Sequence, residues 1–270
     1  MADQKIYVMA HRANTEGWLD QALEWKANGI EVDISKSGGK YYSWHGDGGW
    51  EHLDTYLDHA CSCLTGKSGA GVSLFIFDLK YDVGDGIKAA DITAIRKSVQ
   101  SRLLNPVNTK ENAPDNAGLF AFYGVYKGSA YAGEFEESMK SQALLPHEGV
   151  NYDANRRVYP KTALDWKTDN GVRNFLYSSG IYVGGASPAM WKQLEKASEL
   201  RKTNAFGSYG WTFGYPGSAV DTFENYGVDA TLGNMDQPYG WLPTYLDHYG
   251  LKKHKLVTRK DVPPFLSKRG

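Results

Sequence analysis

The stretch KIYVMAHRANTEGWLDQALEWKANGIEVDI, residues 5–34, decides the fold. Its two ends are short runs of mostly apolar residues, and its middle, residues 15–28, has the spacing of an amphipathic helix. Strands of nearly continuous apolar character on either side of a helix are typical of a parallel sheet that is covered on its outer face. The stretch therefore predicts a strand–helix–strand unit.

The same alternation continues along the chain. Strands are predicted at 5–10, 29–34, 73–79, 119–125, 149–153, 174–179, 207–213 and 228–233, and the fifth unit has the weakest signal. Helices are predicted at 15–28, 50–63, 87–104, 129–143, 157–170, 188–204, 217–226 and 240–249. Eight such units predict an α/β protein, a single (β/α)8 TIM barrel over residues 1–270 with no linker or repeat. KYYSWHG, residues 40–46, is predicted to be an extended excursion above the barrel.

Composition excludes some classes of function. The chain has 30 Lys and Arg against 31 Asp and Glu, a formal net charge of -1. This balance argues against a nucleic-acid-binding protein, which ordinarily has a basic excess. The 18 Tyr and 8 Trp are instead residues that favour sugar sites and membrane interfaces. A chain of this length also buries a large core, so its folding requires neither disulfides nor structural metals.

The two cysteines and the chain start say little about function. Cys61 and Cys63 are one residue apart, which disfavours a bridge, and we count no other Cys and no nearby His to join them, so we expect a poor metal site. We interpret them as half-buried thiols on a helix. No stretch resembles a signal peptide or a transmembrane span, so a secreted protein would correspond to a mature form of the chain.

Polar residues collect where the predicted strands end. They are, in chain order, His11, Arg12, Glu31, Asp33, Asp78, Lys80, Trp211 and Asn234. In a (β/α)8 barrel the C-terminal ends of the strands form the face that carries the active site. The sequence therefore predicts one site on that face.

Three of these residues are candidate metal ligands. Glu31 and Asp33 are two apart on one strand, so they point to the same side of the sheet, and Asp78 ends the next strand. Three carboxylates are a ligand set for a hard divalent cation. The alternative is that one of them is a solvated rim carboxylate or a salt-bridge partner of Lys80 or Arg12.

Two histidines are candidates for the nucleophile and the general acid. His11 ends strand one and His45 lies in the excursion, and imidazole suits either role at neutral pH. Asp47 either orients an imidazole through its N–H or forms a turn in His45-Gly46-Asp47-Gly48-Gly49. The other five histidines are predicted to have surface roles.

At this point the residues resemble a family. Ala10-His11-Arg12, Gly29-Ile30-Glu31-Val32-Asp33, Trp44-His45-Gly46-Asp47 and Phe77-Asp78-Leu79-Lys80 are similar to motifs of the glycerophosphodiesterase-related phospholipase D family. That family includes sphingomyelinase D-type enzymes of spider venoms and actinobacteria, and bacterial lysophospholipid-specific phospholipases D. Tyr209-Gly210-Trp211-Thr212 and Gly233-Asn234 resemble its seventh and eighth strands. Residues 256–265 resemble its C-terminal plug, so a tail of about residues 251–270 is expected to pack at the barrel bottom.

The resemblance implies a barrel of the phospholipase C-like phosphodiesterase type and a role for each matching residue. Mg2+, or alternatively Ca2+, would bind Glu31, Asp33 and Asp78. His11 would attack phosphorus and His45 would protonate the leaving group, or the reverse. Lys80 and Asn234 would contact the phosphate, Arg12 would bind substrate, and Trp211 would line the head-group pocket. The product would be a hydrolysed phosphate or, if a substrate hydroxyl attacks, a cyclic phosphate.

Two positions depart from the venom enzymes of that family. Gly214 stands where they have an acid, three residues after the tryptophan of strand seven, and no cysteine follows His45 to close the catalytic loop. Both changes affect head-group recognition, so we do not expect the venom substrate preference. Arg12 is closer to the glycerophosphodiester phosphodiesterases.

The function expected from the resemblance is a secreted, metal-dependent phospholipase D-type enzyme that acts on phospholipids or lysophospholipids. It would be a monomer working at a membrane or micelle surface, with Trp50, Tyr123, Tyr126, Tyr215 and Trp241 as candidate aromatics in or around the site mouth. The first alternative is a glycerophosphodiester phosphodiesterase, although those enzymes usually carry an insertion where a helix is predicted here. The second is a non-catalytic lipid- or sugar-binding barrel, which would be expected to lack at least one of the five catalytic and metal residues.

Overall fold

The computed structural model describes residues 4–45, 51–66, 71–109, 116–126, 132–154, 158–180, 188–213, 223–234 and 254–269. Eight parallel strands form the barrel: β1 (Gln4–His11), β2 (Gly29–Ser37), β5 (Leu74–Gly84), β6 (Phe120–Tyr126), β7 (Glu148–Asp153), β8 (Phe175–Gly180), β9 (Gly207–Phe213) and β10 (Ala230–Asn234). They pair in chain order, and β1 pairs with both β2 and β10, which closes the ring. The predicted (β/α)8 TIM barrel is therefore confirmed.

Helices alternate with the strands where the chain is described. They are α1 (Glu16–Glu24), α2 (Leu53–Thr65), α3 (Ala89–Val99), a π-helical segment (Gln100–Leu104) that runs into α4 (Asn105–Val107), α5 (Ala132–Ser141), α6 (Pro160–Asp169) and α7 (Pro188–Arg201). Of the predicted helix 217–226 only residues 223–226 are described, as a helical turn, and 240–249 lies outside the described residues. None of the helices described has the length and apolarity to cross a membrane.

The excursion predicted at 40–46 begins as a hairpin. β2 runs past the barrel and turns back into β3 (Lys40–Ser43), which pairs with it antiparallel from Ile34–Ser43 to Ser37–Lys40. The short strand β4 (Glu51–His52) then pairs with β3 and leads into α2. Gly38 and Gly39 both have positive φ, 55° and 73°, which is the backbone conformation that the turn requires and that glycine adopts without strain.

The barrel interior changes from apolar to polar along the strands. Alternate residues of a strand point to the same side, and the inward positions of the lower and middle layers are apolar: Tyr7, Met9, Leu74, Ile76, Phe120, Phe122, Leu176, Tyr209 and Leu232. Two residues further along these strands the inward series reaches His11, Asp78 and Trp211. The same period of two therefore builds both the core and the polar upper layer.

The tail occupies the other end of the barrel. β11 (His254–Leu256) pairs in parallel with Gln4–Ile6, at the start of β1. Phe265 is fully buried and its ring centroid lies 5.1 and 4.8 Å from those of Phe120 and Phe122. The Arg201 guanidinium donates a hydrogen bond to the Pro264 carbonyl at 2.7 Å, which fixes the segment that carries Phe265.

One aromatic side chain predicted at the site mouth lies in the core instead. Tyr123 is fully buried, and its hydroxyl donates a hydrogen bond to the Glu148 carboxylate at 2.9 Å. The prediction is wrong because Tyr123 is one residue out of phase with the inward positions Phe122 and Gly124. Its ring therefore points outward and packs against Phe135 of α5.

Candidate active site

A cavity of about 200 Å3 opens at the C-terminal ends of the strands. Its apolar floor consists of Ile76, Tyr209 and Leu232. Its walls are polar and are formed by His11, Arg12, Glu31, His45, Asp78, Lys80, Asn151, Asp153, Ser178 and Trp211. Seven of the predicted site residues therefore share one cavity, and Asp33 and Asn234 lie directly behind its wall, in contact with Lys80 and His11.

Strand register brings the three carboxylates together. Asp33 of β2 stands beside Asp78 of β5 in the parallel ladder, so both side chains point into the barrel. Glu31 is the inward residue one step below Asp33. One oxygen from each carboxylate lies within 4.8 Å of the others. Sequence spacing alone places Glu31 near Asp33, but only the register of β2 with β5 brings in Asp78.

This donor set fits a hard divalent cation. Glu31 and Asp33 are almost completely buried, 4% and 0% exposed, and Asp78 is partly exposed. Burial and the nearby charges of Asp33 and Asp78 raise the pKa of Glu31 well above its usual range. A cation shared by the three carboxylates would offset that repulsion, and an all-oxygen set is the kind that Mg2+ and Ca2+ prefer.

Lys80 partly neutralises the same carboxylates. Its Nζ lies 2.6 Å from Asp33 Oδ1 and forms a short ion pair with Asp78. Burial alone would lower the pKa of Lys80, but the charges of Asp78, Asp33 and Glu31 outweigh it and raise that pKa. Burial by itself would raise the pKa of Asp33. The charges of Lys80 and His45 and a hydrogen bond from Asn14 outweigh burial and lower that pKa, so Asp33 stays ionised.

His11 is held as a neutral imidazole. Strand pairing places it beside Asn234, and its Nδ1 lies 2.6 Å from the Asn234 side-chain oxygen. Because an amide oxygen only accepts, Nδ1 carries the proton and Nε2 keeps its lone pair. Burial lowers the pKa of His11 to about 4. Nε2, 4.0 Å from Glu31 Oε2, is therefore available as a nucleophile or base at neutral pH.

Arg12 connects the two histidine-bearing segments. It follows β1 with a φ of 58°, in the left-handed region that residues other than glycine seldom adopt. In this conformation its backbone N–H donates to Glu31 Oε2 at 2.6 Å, and its guanidinium lies 2.6 Å from His45 Nε2. Arginine only donates, so Nε2 of His45 accepts in this arrangement. Arg12, predicted as a substrate ligand, thus also positions His45.

Sequence reasoning missed three polar residues of the cavity. Asn151 and Asp153 end β7, and Ser178 lies near the end of β8. All three occupy inward positions: Asn151 and Asp153 continue the series that starts at Gly149, and Ser178 follows Leu176 by two residues. That period-two pattern was available in the sequence, but the predicted site rested on charged and aromatic residues matching known motifs, and these strands match none.

Two further residues contact the carboxylate cluster from behind. Asn14 donates to Asp33 Oδ2 at 2.8 Å, and its own side-chain oxygen accepts the Asp33 backbone N–H at 2.8 Å. Gly124 of β6 approaches Asp78 so closely that a Cβ on it would lie 2.8 Å from Asp78 Oδ1 and 3.2 Å from Asp78 Cα. Both residues fix the position of a carboxylate.

Replacing Asn14 by alanine is expected to weaken Mg2+ binding by about 10–100-fold, the usual effect of losing a partner that orients a metal ligand. Asn14→Asp also loses the amide N–H that donates to Asp33 Oδ2, so it should likewise fail to orient that carboxylate. Calorimetric Mg2+ titration measures both. Asn204→Ala, whose amide contacts only its own helix end and Thr203, is the control. Unchanged affinity in both Asn14 variants would contradict this role.

Several predicted residues lie outside the described parts of the chain. Asp47 and Trp50 are in 46–50, Gly214 and Tyr215 in 214–222, and Trp241 in 235–253. The backbone of Tyr126 ends β6, but its side chain is not described. The roles predicted for these residues stay predictions.

Comparison with known proteins finds distant sequence relatives. No protein-family model matches the chain. Dermonecrotic toxin LarSicTox-alphaIB1ai of Loxosceles arizonica is 26% identical over 206 residues, covering 67% of this chain and 66% of the toxin, slightly under two thirds of its length. Dermonecrotic toxin LhSicTox-alphaVI1ii of Loxosceles hirsuta is 24% identical over 290 residues, covering 95% and 98%. These similarities confirm the resemblance indicated by the motifs.

Solved structures share the fold alone. A mutant tryptophan synthase α-subunit from Pyrococcus furiosus superposes with a TM-score of 0.56 at 12% identity, covering 94% of each chain. A Rubisco-like protein from Rhodopseudomonas palustris gives a TM-score of 0.54 at 10% identity, covering 92% of this chain and 65% of that one. At such low sequence identity these similarities show that the chain shares the barrel fold, and they give no information about its activity.

Proposed function

We propose that this chain, a distant relative of Loxosceles dermonecrotic toxins, is a metal-dependent phospholipase D-type phosphodiesterase that cleaves the head group of lysophospholipids or phospholipids. The observation that carries the proposal is the composition of the cavity. Two histidines, a cluster of three carboxylates and a lysine converge at the C-terminal face of the barrel. This is a complete set of groups for displacement at a phosphodiester.

The two histidines have different roles: His11 is the nucleophile or the general base, and His45 is the general acid. His11 presents an unprotonated Nε2, which either attacks phosphorus or removes a proton from an attacking substrate hydroxyl. His45 supplies a proton to the departing oxygen of the head-group alcohol. In the first route water then hydrolyses the phosphohistidine and releases a phosphomonoester. In the second, the new P–O bond closes a ring, the head-group alcohol leaves, and no water is consumed.

Glu31, Asp33 and Asp78 are the residues that would hold Mg2+ or Ca2+. Such a cation stabilises charge on phosphate oxygens when it is bound. Lys80 and Arg12 are the cavity's cationic side chains and add to that stabilisation. For Arg12 this contact would replace its hydrogen bond to His45, which would leave Nε2 of that histidine able to carry the proton for the leaving group.

The head group is best placed between Trp211 and Asp153. An ammonium group is held by an aromatic face, by a carboxylate, or by both. Trp211, on β9, lines one wall of the cavity, and Asp153, on β7, supplies a carboxylate. The venom enzymes have an acid three residues after the tryptophan, where this chain has Gly214. Because Asp153 attracts any ammonium, choline and ethanolamine should both be accepted.

The size of the cavity favours a head group inside and an acyl chain outside. About 200 Å3 is below the range of roughly 300–1,000 Å3 typical of pockets that enclose drug-sized ligands. We therefore propose a substrate presented at a membrane or micelle surface to a secreted monomer, with the lipid chain leaving through the cavity mouth.

A panel of lysophospholipids, sphingomyelin and glycerophosphocholine, with products resolved by phosphorus NMR, tests the proposal. We expect lysophospholipids to be the best substrates. Choline and ethanolamine forms should differ by less than about tenfold, or about 1.4 kcal/mol of transition-state discrimination. The phosphorus shift distinguishes a cyclic phosphate from a monoester. Glycerophosphocholine as the best substrate would instead favour the glycerophosphodiester phosphodiesterase alternative, and no turnover of any of them would favour a binding barrel.

In the same panel, Asp153→Asn tests the head-group site. The variant should lose roughly tenfold in kcat/KM on lysophosphatidylcholine, because a charge-assisted contact contributes about 1.5–3 kcal/mol when fully desolvated and less at a partly exposed site. Lysophosphatidylglycerol, which has no ammonium, should be cleaved as fast as by the wild type. An equal loss on both substrates would remove Asp153 from head-group recognition.

A further inference from the structure

A second cluster of metal-ligand side chains lies away from the cavity, between α1 and α2 on the outside of the barrel. Asp20 belongs to α1, and His59 and Cys63 lie one turn apart on α2, on the same helix face. Asp20 Oδ1 is 2.9 Å from His59 Nε2 and 3.5 Å from Cys63 Sγ, and Sγ is 3.5 Å from Nε2. One donor atom of each type thus stands at a corner of a small triangle.

The triangle has the dimensions of one face of a zinc tetrahedron. Bond lengths of about 2.0–2.3 Å place a sulfur about 3.6 Å from a nitrogen or oxygen ligand, and a nitrogen about 3.4 Å from an oxygen. The two edges to Cys63 already agree with this geometry. Only the edge from Asp20 to His59 must lengthen, and the Asp20 side chain is 57% exposed and free to adjust.

The other nitrogen of His59 faces a carboxylate. Nδ1 lies 3.8 Å from Glu16 Oε2, so Nε2 points to the cluster and Nδ1 points to a carboxylate. At 3.8 Å the contact is not a hydrogen bond, but a carboxylate that closes to hydrogen-bond distance behind a histidine fixes the ring and makes it a stronger ligand. A simple surface ion pair between His59 and Asp20 contributes little by itself. It also requires neither the thiol at the third corner nor the carboxylate behind the ring.

We propose that Asp20, His59 and Cys63 bind a borderline-soft divalent cation of the Zn2+ class, with water as the fourth ligand. The thiolate and imidazole select against Mg2+ and Ca2+, so the site is chemically distinct from the carboxylate cluster in the barrel. Bound there, the cation joins α1 to α2. Counting no histidine near the cysteines overlooked His59, four residues before Cys63 on the same helix, and the proposal replaces the interpretation of Cys63 as part of a poor metal site.

Cobalt absorption spectroscopy on the chelator-treated 270-residue chain tests this site. Co2+ bound to a thiolate has a near-ultraviolet charge-transfer band, which a site made of carboxylates cannot produce. We expect the band to saturate at one equivalent in the wild type, to be displaced by Zn2+ and to withstand excess Mg2+. Cys63→Ser should abolish it. Cys61→Ser is the matched control, because Cys61 is on the same helix but outside the cluster, and it should keep the full band.

Variants of exposed Asp20 and half-buried His59 complete the test. Asp20→Asn and His59→Ala should each weaken Co2+ binding at least about tenfold. Zn2+ should raise the thermal unfolding temperature of the wild type and of Cys61→Ser more than that of Cys63→Ser, since a ligand that binds only the folded state stabilises it. Absence of the band in the wild type, its persistence in Cys63→Ser, or equal loss in Cys61→Ser would overturn the proposal.

Discussion

His11→Ala and His45→Ala are each expected to lower kcat by several orders of magnitude. General acid–base catalysis alone contributes about 10²–10⁴-fold, and a group that also forms a covalent bond to phosphorus contributes more. The double variant should lose little beyond either single one, because residues that act as a unit are not additive. The measurement is initial rate on the best substrate of the panel, with circular dichroism to verify the fold.

His52→Ala is the matched control for both variants. His52 is an exposed residue of β4 just before α2, it does not line the cavity, and its ring lies tilted against Tyr42, so its removal should leave the rate nearly unchanged. A single variant that is folded and keeps more than about a tenth of the wild-type rate would contradict the role of that histidine. If His11 alone proved essential, the proton for the leaving group would have to come from another cavity residue.

Removal of divalent cations is expected to abolish turnover, and added Mg2+ or Ca2+ should restore it. Asp33→Asn should weaken cation binding, and Asp78→Asn should do the same with less disturbance of packing, because Asp78 is partly exposed while Asp33 is fully buried between Lys80 and Asn14. Mg2+ should raise the unfolding temperature of the wild type but hardly that of either variant. That thermal shift gives a measure of binding that does not depend on activity.

Asp82→Asn is the control for the carboxylate variants, since Asp82 is an exposed residue of the same strand as Asp78. It should retain both the activity and the thermal response. Full activity in excess chelator would eliminate the cation from the reaction. Asp33→Asn also removes a buried charge that pairs with Lys80, so a stability loss in that variant alone would reflect the unpaired ammonium.

The fold could be predicted from the sequence because its strands and helices follow from the local periodicity of apolar residues. Each barrel strand is an apolar run with β-branched or aromatic residues, and each helix has an apolar stripe, so the order of elements follows from spacing alone. The positions of His11 and of the Glu31–Asp33 pair also follow locally, since they end strands or share one face of a strand. Most of these positions lie in the first 80 residues, where the resemblance to known motifs is also strongest.

Other features depended on contacts between strands that are distant in sequence. Asp78 joins Glu31 and Asp33 only because β5 pairs with β2 in one particular register, and Asn234 reaches His11 only because β10 closes the ring on β1. Tyr123 was predicted near the site mouth because sequence does not show which side of the sheet faces inward. A shift of one residue moves a side chain from the cavity to the helix layer.

The sequence by itself thus determined the barrel, its order of strands and helices, and the face on which a site must lie, because periods of 2 and 3.6 residues are local properties. Only the tertiary structure decided which polar residues meet. It placed Asp153 in the wall of the same cavity as Trp211, set Arg12 between Glu31 and His45, and brought Asp20 of one helix to His59 and Cys63 of another. The physical reason is that these contacts depend on ring closure, register and helix packing, which are fixed only when the whole barrel has formed.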